Sequence, residues 1–394
     1  MRKLLIPYGL HSIDKKDIKA VIKSLKGKYI TQGSNVSTFE NKFKKIVGAK
    51  HAVAVSSCSA GLHLCMKALN INKNDNVATS PLSFVSTANS VLHENGNLEF
   101  IDINTKTGQI DPEELNKKIK KKKIKAIIPV HMSGAACNTK EINKICEPKK
   151  IKIIEDAAHS FGAKYLNGKM IGCCQYSLCS VFSFHPVKTI TTGEGGMITT
   201  NSKKIYEKLK ILRTHGINKD PKYFKNKNYS QTNKKINPWY YEMTDLGMHY
   251  RINDIQCALG ISQLQKYKKF IDKRKNIANR YDKFFLKNKN FSIFLSQYRS
   301  ISSNHLYILR IKKSFLQKKP KSKIMNELKK KGIITQVHYI PIPLHPYYKK
   351  KGYNMKNLKN TKKFYDEIIS IPIFYNLKNI EQQYIIKQIS KIFK

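Results

Sequence analysis

The chain has 394 residues, 41% hydrophobic and 10% aromatic, which is enough to enclose a sizeable core and excludes wholesale disorder. Basic residues number 74 against 26 acidic ones, a formal net charge of +48. Only seven of the 74 are arginines, and the lysines are spread with Asn and Ile through every segment (KKKIKAII, NKNYSQTNKKIN, KKKGYNMKNLKN), which favours a solvated lysine surface over a basic nucleic-acid-binding protein.

At the start, RKLLIPYGL after Met1 has neither a long apolar run nor a small-residue cleavage site, so no secretory leader is expected. Runs such as KAIIPVH and IKIIED are too short for a membrane-spanning helix. Short β-branched runs predict strands at His51–Ser56, Asn76–Ser80, Leu98–Ile103, Lys125–His131, Ile151–Asp156, Leu178–Phe184 and Gly196–Thr200. Amphipathic stretches predict helices at Ala60–Leu69, Ser86–His93, Pro112–Lys121, Lys140–Cys146 and Lys203–His215. This alternation predicts an α/β fold: a large, mostly parallel seven-stranded sheet covered on both faces. The turn after Leu178–Phe184 is too short for a crossover helix, so that strand and Gly196–Thr200 are expected to pair antiparallel.

From Asn218 to Asn237 the composition shifts to a polar surface excursion. A long helix is predicted over Asn253–Leu286, then a small α+β part. Its strands are expected near His305–Ile311 and Ile333–Tyr339, and its helices near Lys321–Lys331, Asn360–Ile369 and Ile380–Phe393. Two domains are expected: a large α/β domain with the N-terminal segment over 1–250, and the connecting helix with a small C-terminal domain over 251–394. Eight cysteines without paired spacing fit a reducing cytoplasm.

The chemistry concentrates in IIEDAAHSFGAKY and SLCSVFSFHPVKTITTGEGGMITTN. Asp156 ends an apolar strand, where ligands of parallel sheets gather. Lys188 follows another strand inside a low-charge stretch ending at Glu194-Gly195-Gly196, unlike the other lysines. A lysine so placed, opposite a strand-end carboxylate, suits Schiff-base chemistry with pyridoxal 5'-phosphate, the acid pairing with the pyridinium nitrogen. Ser57-Cys58-Ser59-Ala60-Gly61 joins a strand to a helix, and small residues there offer backbone N–H groups to a phosphate. An ordinary serine cap explains the same residues. No GxGxxG or Walker pattern follows a strand, which disfavours a dinucleotide site. Phe84 suits either stacking on a cofactor ring or the core.

Pieces spread almost end to end resemble the DegT/DnrJ-type sugar-nucleotide aminotransferases: IPYGLHSID, YITQGSNVSTFE, PVHMSG, IIEDAAHSFGA, VFSFHPVKTITTGEGGMITTN, LRTHGI, PWYYEM, HYRINDIQCALGISQL, SNHLY and TQVHYIPI. The resemblance implies fold type I of the PLP-dependent transferases, the aspartate-aminotransferase fold. It assigns Lys188 to the cofactor's aldehyde carbon, Asp156 to its ring nitrogen, His159 to its phenolic oxygen and Phe84 to its ring face. Ser59, Ala60 and Ser183 match phosphate ligands. Tyr8, the stretch Lys28, Tyr29, Ile30 and Thr31, then Cys58, Ser183, His249, and the stretch Gln336, Val337, His338 and Tyr339 match substrate positions. His185 reads equally well as a core or turn residue.

The implied reaction moves an amino group from L-glutamate, released as 2-oxoglutarate, to C4 of a UDP-linked 4-keto-6-deoxy-N-acetyl sugar. The implied product is UDP-4-amino-4,6-dideoxy-N-acetyl-β-L-altrosamine, in pseudaminic acid biosynthesis. The alternative within the class is a perosamine- or bacillosamine-type enzyme. Related dehydratases place His where Lys188 stands. The sequence departs from the family pattern twice. The usual Asn-Gly-Thr reads Ser57-Cys58-Ser59, which keeps a hydroxyl. The usual G-x-N-Y-R reads Gly247-Met248-His249-Tyr250-Arg251, so the resemblance implies a homodimer whose composite sites borrow His249 for the neighbouring cofactor phosphate. No metal, membrane or nucleic-acid partner is expected.

Overall fold

A computed structural model describes residues 5–393. The leader reading begins on Met1–Leu4, outside the described residues. Two helices that the sequence reading did not draw come first, α1 (Lys15–Leu25) and α2 (Ser34–Val47). Asp14 caps α1 in a capping box with Asp17.

The seven strands of the main sheet are β1 (His51–Val55), β2 (Asn76–Thr79), β3 (Asn97–Phe100), β4 (Ala126–Ile128), β5 (Lys152–Asp156), β6 (Cys179–Ser183) and β7 (Gly196–Thr200). Their order is β1-β7-β6-β5-β4-β2-β3. From β6 to β3 all neighbours run parallel, while β7 is antiparallel to both β6 and β1. The antiparallel pairing expected of the β6–β7 turn is therefore present.

Alternation along the strands divides the core. Val53, Val55, Val77, Ile128, Ile154, Val181 and Ile198 point into one cluster with α3 (Cys58–Ala68), α4 (Ser86–Leu92) and α7 (Lys203–Leu212). Their neighbours point the other way. Ala52, Ala54, Phe182 and Met197 pack with Phe39 and Phe43 of α2. Ala78, Ile127 and Ile153 pack with α5 (Pro112–Lys121) and α6 (Thr139–Cys146). Both faces are buried, which is why these strands read as continuous apolar runs.

The helix predicted over Asn253–Leu286 is two: α8 (Asp254–Leu264) and α9 (Tyr267–Phe285). Where they meet, buried Asp17 accepts from Ser262, Gln263 and Lys266, pinning the junction to α1. No Pro or Gly marks the break. A second core joins α9 to an antiparallel sheet of β8 (Phe291–Ile293), β9 (Tyr307–Ile311) and β10 (Ile368–Ile371), with α10 (Lys321–Lys330) and α12 (Asn379–Ile392). The helix α11 (Lys359–Glu367) stops before Ile368, where the β-branched run begins β10, so the helix expected to Ile369 ends early. Ile6 lies in this second core and bridges Ile333.

Three expected strands are shorter or missing. Lys125–His131 shrinks to Ala126–Ile128, ending before Pro129, which has no N–H to give the ladder. Leu98–Ile103 stops at Phe100, and Ile103 starts a separate two-residue ladder with Ile110. Ile333–Tyr339 forms only single bridges, to Ile6 and Ser370, and then leaves the sheet. That departure carries His338 and Tyr339 towards the carboxyl ends of the main strands. Between Asn218 and Asn237 the chain makes only short turns and a two-residue hairpin. No helix of the described residues is long and apolar enough to cross a membrane.

Candidate active site

A cavity of about 400 Å³ opens at the carboxyl ends of β5 and β6, where an open parallel sheet places its ligands. Tyr8, Cys58, Ser59, Phe84, Asp156, His159, Ser183, Lys188, His338 and Tyr339 all line it. Sequence reading thus drew together residues up to 331 positions apart (339 − 8).

Asp156 is the last residue of β5 and is buried. Its Oδ2 accepts from Thr87 Oγ1 at 2.7 Å and its Oδ1 from the Ala158 N–H at 3.1 Å. Burial raises its carboxyl above the usual range, while those two bonds and Lys188 pull it down. Lys188 follows β6 in a turn closed by its own N–H to the His185 carbonyl at 2.9 Å. Dehydration lowers its amine to about 8, with Arg274 pulling the same way against Cys58 and Asp156. Half of this amine is neutral near that pH, unlike a solvated surface lysine.

The rings of His159 and His305 lie 4.4 Å apart between centres, tilted by 36°, and Nδ1 of each is buried without a partner among the described residues. Nε2 of His159 lies 2.8 Å from the Tyr339 hydroxyl. Burial holds both histidines neutral, well below their ordinary pKa. His338 is pushed down to about 4 by burial and by Lys188, and its Nδ1 lies 2.9 Å from Ser370 Oγ. Phe84 is 57% exposed at the cavity wall, with its ring 6.2 Å from that of Tyr339. It is no core residue.

At the other end of the cavity, Ser57 caps α3 and Ser57 Oγ accepts from the Ala60 N–H at 3.1 Å. Ala60 is buried, and its amide is engaged in the cap rather than turned to the cavity. The first helical bond runs from Gly61 to the Ser57 carbonyl, which leaves the N–H groups of Cys58 and Ser59 ahead of it for an anion. This loop presses on β7. A Cβ on Gly196 would stand 2.7 Å from the Ser57 carbonyl oxygen and the Cys58 nitrogen, so only glycine allows the approach.

The remaining expected site residues lie elsewhere. Lys28, Tyr29, Ile30 and Thr31 are exposed between α1 and α2, and Lys28 and Tyr29 face a separate depression beside Asp254. His249 is exposed, bridged to Thr214 and 5.3 Å from the His215 ring. Gln336 is exposed and Val337 packs beneath it. Sequence reading missed Ser83, Ser86, Val130, Ala158, Val187, Glu194 and His305 as cavity residues, and Thr87 as the partner of Asp156. His185 also lines the cavity. Position within SNHLY was the one signal for His305.

The donor set fits pyridoxal 5'-phosphate. A depressed-pKa lysine and a buried carboxylate share one cavity, a neutral histidine has an orphaned nitrogen, and open helix amides stand at the phosphate end. The volume also suits a ligand of that size.

The chain belongs to the DegT/DnrJ/EryC1/StrS aminotransferase family, whose model matches residues 11–390. It is a PLP-dependent aminotransferase of fold type I. It is 38% identical over 372 residues to the UDP-4-amino-4,6-dideoxy-N-acetyl-β-L-altrosamine transaminase of Campylobacter jejuni, covering 93% of this chain and 92% of that one. The solved Helicobacter pylori PseC, an aminotransferase of pseudaminic acid biosynthesis, superposes with a TM-score of 0.89 at 33% identity, covering 99% of each chain. Spr1654 of Streptococcus pneumoniae, solved in its PLP form, gives 0.88 at 27% identity over 98% of each.

Proposed function

We propose that this aminotransferase moves the amino group of L-glutamate to C4 of a UDP-linked 4-keto-6-deoxy-N-acetyl sugar, giving UDP-4-amino-4,6-dideoxy-N-acetyl-β-L-altrosamine. The observation that carries the reading is the shared cavity of Lys188, Asp156, Tyr8, His338 and Tyr339. The identity to named transaminases of that sugar supports the substrate.

Bound pyridoxal phosphate supplies an electron sink and a carbon that alternately carries and gives up the amino group. Lys188 would anchor it and, once released, its Nζ would move a proton from the glutamate α-carbon to the cofactor carbon in the first half-reaction, and from that carbon to sugar C4 in the second. A midpoint of about 8 keeps a useful fraction of that amine unprotonated near neutrality. Asp156 holds the proton on the ring nitrogen, as a buried carboxylate beside a cation does. His159 orients the phenolic oxygen, Phe84 covers a ring face, and Ser59, Ser183 and the α3 amides take the phosphate.

Tyr8, Cys58, His338 and Tyr339 are assigned to the sugar. Lys28–Thr31, Gln336 and His249 reach a substrate only if surfaces are shared, so the working unit is proposed to be a homodimer. Exposed Tyr229, Trp239, Met243 and Leu246 supply apolar area for it. The eight cysteines are free and buried, in keeping with a reducing cytoplasm. The chain is proposed to divide into a large α/β domain over 1–250 and, over 251–394, the connecting helices with a small C-terminal α+β domain.

The test is turnover of purified protein with glutamate and a panel of UDP-4-keto-6-deoxy sugars, the product read by NMR. Amination giving the altro configuration at C4 supports the assignment, and formation of the C4 epimer instead overturns it. Turnover only of perosamine- or bacillosamine-type precursors replaces the substrate.

A further inference from the structure

Arg274 lies on α9 and is 2% exposed, yet no acid pairs with it among the described residues. Its Nη1 donates to the carbonyls of Ile373 at 2.9 Å and His305 at 3.2 Å, and its Nη2 reaches that of Val187 at 3.4 Å. Nε is buried without a partner. Burial brings the guanidinium down to about 10, so it stays charged at neutral pH. Burying an unpaired cation is costly, and an apolar side chain would fill the space without that penalty.

The three carbonyls share a destination. Val187 immediately precedes Lys188. His305 lines the cavity against His159. Ile373 donates its N–H to the carbonyl of Tyr8 at 3.1 Å, and Tyr8 lines the same cavity. One guanidinium thus joins the backbone beside the reactive lysine to two segments from the C-terminal part of the chain.

We propose that Arg274 is a positioning residue for Lys188: it ties the Lys188 turn to the segments carrying His305 and Tyr8, and its charge favours the neutral amine. Lys188 is also faced by Asp156 from β5, Cys58 from α3, His159 and His185 from the loops after β5 and β6, and His305 and His338 from the C-terminal part. Glu194 stands on the same cavity wall. Asp156 and Cys58 pull the amine towards its charged form, and the buried histidines are neutral. Among the fixed charges, Arg274 therefore provides the opposing push.

This inference rests on Lys188 being the cofactor lysine, but its test does not. Competitive acetylation of the full-length chain, freed of cofactor and read at the Lys188 peptide by mass spectrometry, gives the amine's midpoint whatever Lys188 does in turnover. Arg274→Gln removes the charge while keeping donors, and the Lys188 midpoint is expected to rise by roughly half to one pH unit. A folded Arg274→Gln protein with the parental midpoint overturns the proposal. Should Arg274→Gln fail to fold, Arg274→Lys, with fewer and less spread donors, decides by amide exchange. Faster exchange across residues 185–190 supports the tie, and parental exchange there overturns it.

Discussion

Thr87 Oγ1 donates to Asp156 Oδ2 at 2.7 Å, with both groups buried. The bond reaches from the first turn of α4 to the end of β5 and favours the ionised carboxylate against the dehydration that opposes it. Ser83 Oγ, 2.7 Å from the same threonine hydroxyl, extends the chain to the cavity wall. Thr87→Val keeps the shape and removes the donor. The Asp156 carboxyl then rises further, so the acid limb of the kcat/KM profile moves to higher pH and kcat falls roughly tenfold. An unchanged profile would show that Ala158 and Lys188 alone hold the charge.

Asp156→Asn cannot keep a proton on a pyridinium nitrogen. The phosphate end and Lys188 are untouched by it. A fall in kcat of roughly 10²–10³-fold is expected, with the cofactor concentration for half-saturation moving less than about tenfold. Steady-state kinetics and a cofactor titration on the same preparation separate the two.

Acid should unfold this protein through its cavity. His159, His305 and His338 have folded pKa values below the ordinary 6.5, by burial. Below pH 6.5 the unfolded chain takes up protons that the folded chain refuses, so stability falls as pH drops from 6.5 towards 4. Each such histidine contributes up to about 1.4 kcal/mol per pH unit in that window. Asp156, raised by burial, opposes with one proton. Replacing His338 by Asn should flatten the urea-denaturation stability against pH over this range, and a parallel curve would contradict the assignment.

His249 tests the shared site. It is exposed and outside the cavity of its own chain, so its role in the proposed dimer comes from the partner copy. Lys188→Ala and His249→Ala proteins, each inactive or weak alone, should regain activity on subunit exchange. One site per heterodimer then holds both residues. The expected ceiling is about a quarter of the parental rate for random exchange. No regain after exchange shown by native mass spectrometry would remove His249 from the site.

Most of the seven strands were legible because they are buried on both faces and read as short apolar runs, and the β6–β7 pairing because a short turn admits no crossover. Lys188 stood out for a local reason, a low-charge stretch in a lysine-rich chain. What escaped depends on side chains meeting from afar. Thr87 looks like any helix residue until Asp156 is placed beside it, and Arg274 sits in KRKN among other cations. The break between α8 and α9 has no local mark, because Asp17 imposes it from 245 residues away through Ser262. Ile333–Tyr339 has strand composition, yet its neighbours offer single bridges, and the segment instead delivers His338 and Tyr339 to the cavity.

Reduction tests most directly whether Lys188 is the lysine that bears the cofactor. Borohydride treatment of the protein loaded with pyridoxal 5'-phosphate, followed by digestion and mass spectrometry, should place the reduced phosphopyridoxyl mass on the peptide containing Lys188 and bleach the visible absorbance. The same treatment after incubation with glutamate, which carries the amino group away from the lysine, should leave that peptide unlabelled. Label on another lysine, or a Lys188 peptide of unchanged mass from a bleached, fully loaded protein, would contradict the assignment.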